Sequence, residues 1–311
     1  MKKLLDYIFF TRPALFPPVW TIVILGMRAA DVREGASPFY SSGILEIDWS
    51  FIALLFFATC LYAGVYTFNQ IHDIESDRKN SKLFYLAEGM ISIPAAYVFT
   101  IVLDIVAIAG GFYISTRVGY LFAIIFILGI LYSVPLTNFK GKPSPGYWSN
   151  AFGHGMIPFL IGWAFIDVIS LEAGIKSVPY LCGVGAIYLN TTLPDRDGDR
   201  AAGKITHGVR WGIKTTMQAT TFLMVMSVIT AQMAGDHAYL IAGVIALPFF
   251  VRALSTREIN HVVTSTKVAI LALSAFACIY FPPYVLILLV GFFAARTYYK
   301  ARFQLDYPSV W

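Results

Sequence analysis

The chain has 311 residues, of which 58% are hydrophobic and only 13% charged, and its mean hydropathy is +0.68. Soluble domains carry about 25% charged residues, so the composition excludes an ordinary water-soluble globule and indicates a polytopic membrane protein. The formal net charge of +5 is scattered over short segments, without the concentrated basic face of a nucleic-acid binder, and no nucleic-acid partner is expected.

Residues 2–12 predict a short helix lying in the membrane interface. Asp6 interrupts a very short apolar segment and no small-residue cleavage site follows, which argues against a removable signal. Apolar runs of roughly 17–25 residues, enough to span a bilayer as helix, follow near 14–30, 51–71, 91–115, 118–136, 150–170, 177–194, 215–234 and 237–254. The stretch 266–299 is broken by Pro282-Pro283 and reads as two short helices or one kinked element. The expected fold class is an all-α polytopic membrane protein, a nine- or ten-helix transmembrane bundle. No linker or soluble stretch marks a second domain, so 1–311 reads as a single membrane-embedded domain. Cys60, Cys182 and Cys278 fall inside predicted spans without metal spacing and read as packing.

Basic residues orient the bundle. With the N-terminus cytoplasmic and the spans alternating, sixteen Lys and Arg lie inside, whereas only Arg28, Arg33, Arg117 and Lys176 lie outside. The positive-inside rule therefore predicts a cytoplasmic face for the inner loops, near 72–90, 137–149, 195–214 and 252–265. The largest outer segment, about 31–50, reads as a surface loop. Arg296, Lys300 and Arg302 would be inside only if 266–299 crosses twice, which favours ten crossings.

Six of the eighteen acidic residues sit in two of these inner loops, in Asp73-Ile74-Glu75-Ser76-Asp77-Arg78 and Asp195-Arg196-Asp197-Gly198-Asp199-Arg200. Like charges this dense repel unless cations neutralise them, and carboxylates beside hydrocarbon are costly. Both clusters share an Asp-x-acid-x-Asp-Arg pattern after an apolar run, with Asn69 or Thr191 four residues ahead of the first Asp; this suggests a parallel internal repeat. On a continuing helix Asn69, Asp73 and Asp77 share a face, as do Asp195 and Asp199, while Glu75 and Asp197 point elsewhere and read as supporting groups. Oxygen donors without cysteine suit a hard ion, and few carboxylates per ion suit Mg²⁺ that also coordinates substrate phosphate. Interleaved Lys and Arg supply the remaining counter-charge of a diphosphate.

The spacing Asn69-x-x-x-Asp73-x-x-x-Asp77, the later Asp195-x-x-x-Asp199 with its run Gly198 to Thr206, and Tyr132-Ser133-Val134-Pro135 leading to Lys140 resemble the UbiA-type superfamily of intramembrane prenyltransferases. That resemblance implies a helical bundle, typically of nine spans, with cytoplasmic loops capping a central cavity. It further implies that Asn69, Asp73, Asp77, Asp195 and Asp199 bind two Mg²⁺ ions and, through them, a polyprenyl diphosphate donor from isoprenoid biosynthesis. Arg78, Lys82, Lys140, Arg200 and Lys204 would be the cationic contacts, and Tyr132 would line the cavity near the reacting carbon. The implied enzyme sits in the cell's inner or cytoplasmic membrane with its active site facing the cytoplasm.

The implied reaction is transfer of the polyprenyl group, via a carbocation, to an acceptor that is an aromatic or quinone precursor or another lipid-pathway acceptor. Two departures bear on the acceptor: many relatives have an Arg-Pro-Leu-like segment after the first motif, where this chain reads Lys82-Leu83-Phe84-Tyr85, and Asn138 stands where an Arg often precedes the loop lysine. A membrane terpene cyclase using the same donor without acceptor is one alternative, and an ion transporter using the repeated carboxylates is another. Outside the motifs, Asp104 lies mid-span, where an ionisable group suggests function or a paired core position. His154 reads as a packed histidine or a base for the acceptor, and His72 and His207 as neighbours of the motifs. Asp167 and Glu172 read as interfacial charge.

Overall fold

The computed structural model describes residues 2–31, 49–79 and 84–308. Every regular element among them is helical, as expected of an apolar chain whose backbone polar groups cannot turn to lipid for hydrogen bonds. In chain order these are α1 (Lys2–Phe10), α2 (Phe16–Asp31), α3 (Trp49–Lys79), the single turn α4 (Phe84–Ala87), α5 (Ile93–Ile114) and α6 (Thr116–Ser133). A 3₁₀ turn, Phe139–Gly141, leads to α7 (Pro143–Asn150), which continues through a π-helical segment, Ala151–Met156, into α8 (Ile157–Ile166). Then follow α9 (Leu171–Thr191), α10 (Arg196–Ala201), α11 (His207–Met233), α12 (His237–Thr256), α13 (Ile259–Tyr280) and α14 (Tyr284–Phe303).

Seven stretches among the described residues are long and apolar enough to cross a membrane: Lys3–Asp31, Trp49–Glu75, Ile93–Ile114, Thr116–Ser133, His237–Thr256, Ile259–Tyr280 and Tyr284–Phe303. The runs expected near 150–170, 177–194 and 215–234 are also helical, but α8 has only 10 residues and α9 and α11 are interspersed with Lys, Ser, Thr and Gln. The 266–299 stretch belongs to two helices, parted at Pro282-Pro283 where the chain lacks the N–H groups to continue a ladder. The inner loops are shorter than expected, because helix winds through 72–79, 143–149, 207–214 and most of 252–265. The outer segment 31–50 lies almost entirely outside the described residues.

The chain forms two compact units, one of Met1–Pro17, Ile47–Thr137 and Pro282–Trp311, the other of Pro18–Glu46 and Asn138–Phe281. In the first, α3 packs along α5 and α6 through small residues, since helices in lipid gain most from close packing and polar contacts. Gly110 receives the Phe57 ring, Gly64 leaves room for the Asp104 carboxyl, and the Thr67 and Thr100 hydroxyls bond at 2.8 Å. Asp104 thus sits against α3, with its Oδ1 meeting no hydrogen-bond partner among the described residues. Near the start of α3's acidic end lies an aromatic cluster of Phe9, Phe10, Tyr85, Tyr298, Tyr299 and Phe303. Phe9 stacks on Tyr298 with ring centroids 3.8 Å apart, and the buried Asp6 accepts from Tyr298 Oη at 2.6 Å and from Arg302 at 3.1 and 3.3 Å.

In the second unit α2 and α8 approach until Gly26 meets the Phe159 backbone and Gly162 the Val23 backbone. Tyr180 is buried between Phe159 and Tyr239, and its hydroxyl donates to Asp236 at 2.8 Å. Asp236 also accepts from the Tyr239 N–H at 2.9 Å, capping α12. Asn190 near the end of α9 donates to Ser265 and Thr266 of α13 at 3.1 and 3.0 Å.

Candidate metal and diphosphate site

Helix α3 runs 31 residues, about 46 Å at 1.5 Å per residue, well beyond the roughly 30 Å hydrocarbon layer. Its end therefore carries Asn69, Asp73 and Asp77 at i, i+4 and i+8, on one face and about 6 Å of rise apart. Asp73 and Asp77 are half-buried whereas Glu75 is exposed, which separates the two sets as the helical spacing does. Asn69 Nδ2 donates to Ser133 Oγ at 3.3 Å, so the acidic helix and the Tyr132-Ser133 end of α6 meet. Gln70, 2% exposed, donates to the carbonyl oxygens of Phe10 and Tyr66 at 2.8 and 3.1 Å and so fixes the rotation of α3 against α1. His72 turns back on its own helix, its Nδ1 3.0 Å from the Phe68 oxygen. Arg78 donates to the Ala87 carbonyl at 3.1 Å; Lys82 lies outside the described residues.

The second acidic segment, in the other unit, is built differently. Helix α9 stops at Thr191, where the hydroxyls of Thr191 and Thr192 turn back to the Tyr188 and Leu189 oxygens, each at 2.7 Å, and Pro194 brings no N–H. Asp195 then precedes the short α10, and the Asp199 N–H donates to the Asp195 oxygen at 2.8 Å. The i, i+4 relation between these two aspartates is kept on a fresh turn, not on a continuation of the preceding helix. Both are half-buried. Asp197 is exposed and bonded to Arg196 at 3.0 and 3.4 Å, and that guanidinium holds its carboxyl below the usual range.

Beyond α10 the chain doubles back. Gly203 takes φ +74°, a left-handed conformation that suits glycine, and the Lys204 N–H donates to the Asp199 oxygen at 2.9 Å. The next N–H, of Ile205, donates to the Gly141 oxygen at 3.1 Å, joining this segment to the turn that carries Lys140. Thr206 Oγ1 donates to Asp199 Oδ2 at 3.1 Å. Lys140 and Lys204 are half-buried and Arg200 is exposed. His207 is 5% exposed, edge-on to Trp211 and Tyr147 with centroids 4.3 and 6.0 Å away. Its Nδ1 has no hydrogen-bond partner among the described residues. Burial, aided by Arg210, pushes its pKa down to about 4. His154 lies in the π-helical segment, half-buried.

Gln70 and the Gly141–Ile205 contact did not emerge from sequence reasoning, and Ser133 and Thr206 fell inside the motifs without being given a role. The one local signal was Gly203 between Asp199 and Thr206, which marks a turn able to fold the chain back.

Among the described residues no three His, Cys, Asp or Glu side chains converge as a ready-made metal cage. Mg²⁺ does not need one, since it keeps several waters and is usually held by one or two carboxylates plus substrate phosphate. The donor set here, paired half-buried aspartates with an asparagine amide oxygen, has the hardness and sparseness that ion requires.

The model of the UbiA prenyltransferase family matches residues 36–268, and the chain belongs to that family. Solved structures share the fold. One, of a digeranylgeranylglyceryl phosphate synthase, is 21% identical with TM-score 0.66 over 89% of this chain and 99% of its own. A UbiA homologue from Archaeoglobus fulgidus bound to GPP and Mg²⁺ is 17% identical with TM-score 0.68, covering 88% of this chain and 99% of that one. An apo homologue from Aeropyrum pernix K1 is 12% identical with TM-score 0.66 over 85% and 96%. No curated protein matches the chain. The helical architecture, the apolar spans and this family membership make it an integral membrane protein.

Proposed function

We propose that the chain is a single catalytic domain that transfers a polyprenyl group from an allylic polyprenyl diphosphate to an acceptor, with its site at the cytoplasmic face of the membrane. The observation that carries this reading is the helical array of Asn69, Asp73 and Asp77, half-buried at the end of α3, beside the exposed and excluded Glu75. Asn69, Asp73, Asp77, Asp195 and Asp199 would hold two Mg²⁺ ions. When bound, Mg²⁺ neutralises the diphosphate and stabilises it as a leaving group. Arg78, Lys82, Lys140, Arg200 and Lys204 take up the remaining oxygen charge, which grows as the bond breaks and so favours the transition state over the ground state. The allylic C–O bond breaks with both electrons passing to pyrophosphate. Tyr132, lining the cavity near the reacting carbon, would stabilise the resulting cation through its aromatic ring, and the acceptor supplies the electron pair of the new bond and then loses a proton. In support, A. fulgidus UbiA-homologue structures were solved with GPP and Mg²⁺ and with DMAPP and Mg²⁺.

Purified protein supplied with labelled geranylgeranyl diphosphate, Mg²⁺ and a panel of acceptors should release pyrophosphate. Asp73→Ala or Asp195→Ala should lower that release by about two orders of magnitude or more, whereas Glu75→Ala should stay within a few-fold of the parent. Absence of turnover with every donor length would overturn the proposal. Cyclisation of the donor without an acceptor is a second reading. It is left open by Lys82-Leu83-Phe84-Tyr85 standing where the family resemblance implies an Arg-Pro-Leu-like segment. Cyclic product from donor alone would select it.

A further inference from the structure

A carboxylate that serves a metal must be aimed as well as present, and its aim is set by the groups that bond it. Asp199 has such a group in Thr206, seven positions on. The hydroxyl donates to Oδ2 at 3.1 Å, and Thr206 is 6% exposed. Three backbone features bring it there: the left-handed Gly203, the Lys204 N–H on the Asp199 oxygen at 2.9 Å, and the Ile205 N–H on the Gly141 oxygen at 3.1 Å. The following residues are anchored as well, because the Gly208 N–H donates to Thr192 Oγ1 at 3.1 Å, and a side chain at Gly208 would collide with the Thr192 backbone. Thr206 is therefore held on both sides while its hydroxyl faces the carboxylate.

We propose that Thr206 is a positioning residue of the metal site, setting the orientation of Asp199 through its hydroxyl without touching substrate. The inference rests on the reading of Asp199 as a metal ligand. The hydroxyl matters and the methyl does not: serine keeps the donor, while valine keeps the shape and burial but leaves Asp199 Oδ2 without it. Loss of that bond removes one of the constraints on the carboxylate's rotation, and losing a group that orients a metal ligand typically costs about 10–100-fold in metal affinity.

The test measures binding of labelled geranyl diphosphate to the detergent-solubilised full chain as a function of Mg²⁺ concentration, which needs no acceptor. Thr206→Val should require about tenfold more Mg²⁺ for half-maximal binding and reach the parent's plateau once Mg²⁺ is saturating. Thr206→Ser should match the parent, and the melting temperatures of both variants, read without Mg²⁺ or donor, should show whether the fold is kept. Equal behaviour of the valine and serine variants, whether both normal or both impaired, overturns the proposal, as does a lowered plateau with an unchanged Mg²⁺ midpoint. Asp199→Asn separates this outcome from failure of the underlying reading: if it binds with the parent's Mg²⁺ midpoint, Asp199 is not a ligand, whatever Thr206 does.

Discussion

At the scale of single residues, burial sorts the charged groups of the two acidic segments more finely than charge does. Asp73, Asp77, Asp195 and Asp199 are half-buried, while Glu75 and Asp197 stand exposed, the latter engaged with Arg196. His207 shows the cost of burying an ionisable ring without a partner. Its pKa is pushed down to about 4 from an unfolded value of about 6.5. Between those pH values the unfolded chain binds a proton that the folded chain does not, so stability contributed at pH 7 is lost as pH falls and stops falling below about pH 4. Melting temperatures across pH 4–7 should therefore decline more steeply for the parent than for His207→Gln, which has nothing to titrate there. The paired spacing of the aspartates was legible because it repeats within one helical turn. The cage around His207 was not, because Tyr147 lies sixty positions upstream and leaves no periodic trace.

At the scale of helices, the decisive signals were where prolines fall and where glycines let backbones touch. Pro282-Pro283 marked an interruption that the structure resolves as the break between α13 and α14, and the shared face of Asn69, Asp73 and Asp77, expected if the helix continued, is met because α3 runs on to Lys79. The matching expectation for the second acidic segment was only half met, since two threonine hydroxyls and Pro194 end α9 before Asp195. The π-helical turn between α7 and α8 had no readable cue; such turns arise from an extra residue accommodated by packing, here against α9, where Gly155 faces the Tyr180 carbonyl. Gly162 and Gly26 make the sharpest prediction at this scale. Gly162→Leu would drive a side chain into the Val23 backbone, which cannot rotate away, and should destabilise the protein by about 3 kcal/mol or more; thermal unfolding in detergent would measure it. A comparable Gly291→Leu, at a position with open space around it, should be tolerated.

For the whole molecule, composition sufficed to place the chain in a bilayer, and the distribution of Lys and Arg predicts which face looks inward. Native cysteines are few, with Cys60 buried and the others half-buried, so a background lacking them is practical. In it, Asp197→Cys should react with a membrane-impermeant maleimide only from the cytoplasmic side of sealed vesicles, and Leu171→Cys, 82% exposed at the opposite end of α9, only from the other. The reverse pattern would invert the orientation and with it the side from which a soluble acceptor arrives. The division into two compact units was not foreseen. It joins segments far apart in the chain, and hydropathy, a local quantity, does not reveal such pairings.

The clasp between Asp6 and Arg302 spans 296 positions. A ribosome adding 5–20 residues per second needs roughly 15–60 s to get from one to the other. Throughout that interval α1 is already made, but its buried carboxylate has neither Tyr298 nor Arg302 to meet it. Gln70 can bond the Phe10 carbonyl at the end of α1 as soon as α3 is made, but the buried Asp6 carboxylate is met only after α14 has emerged. Helix α1 is thus made early and completed late, its buried charge matched only when synthesis has passed residue 302.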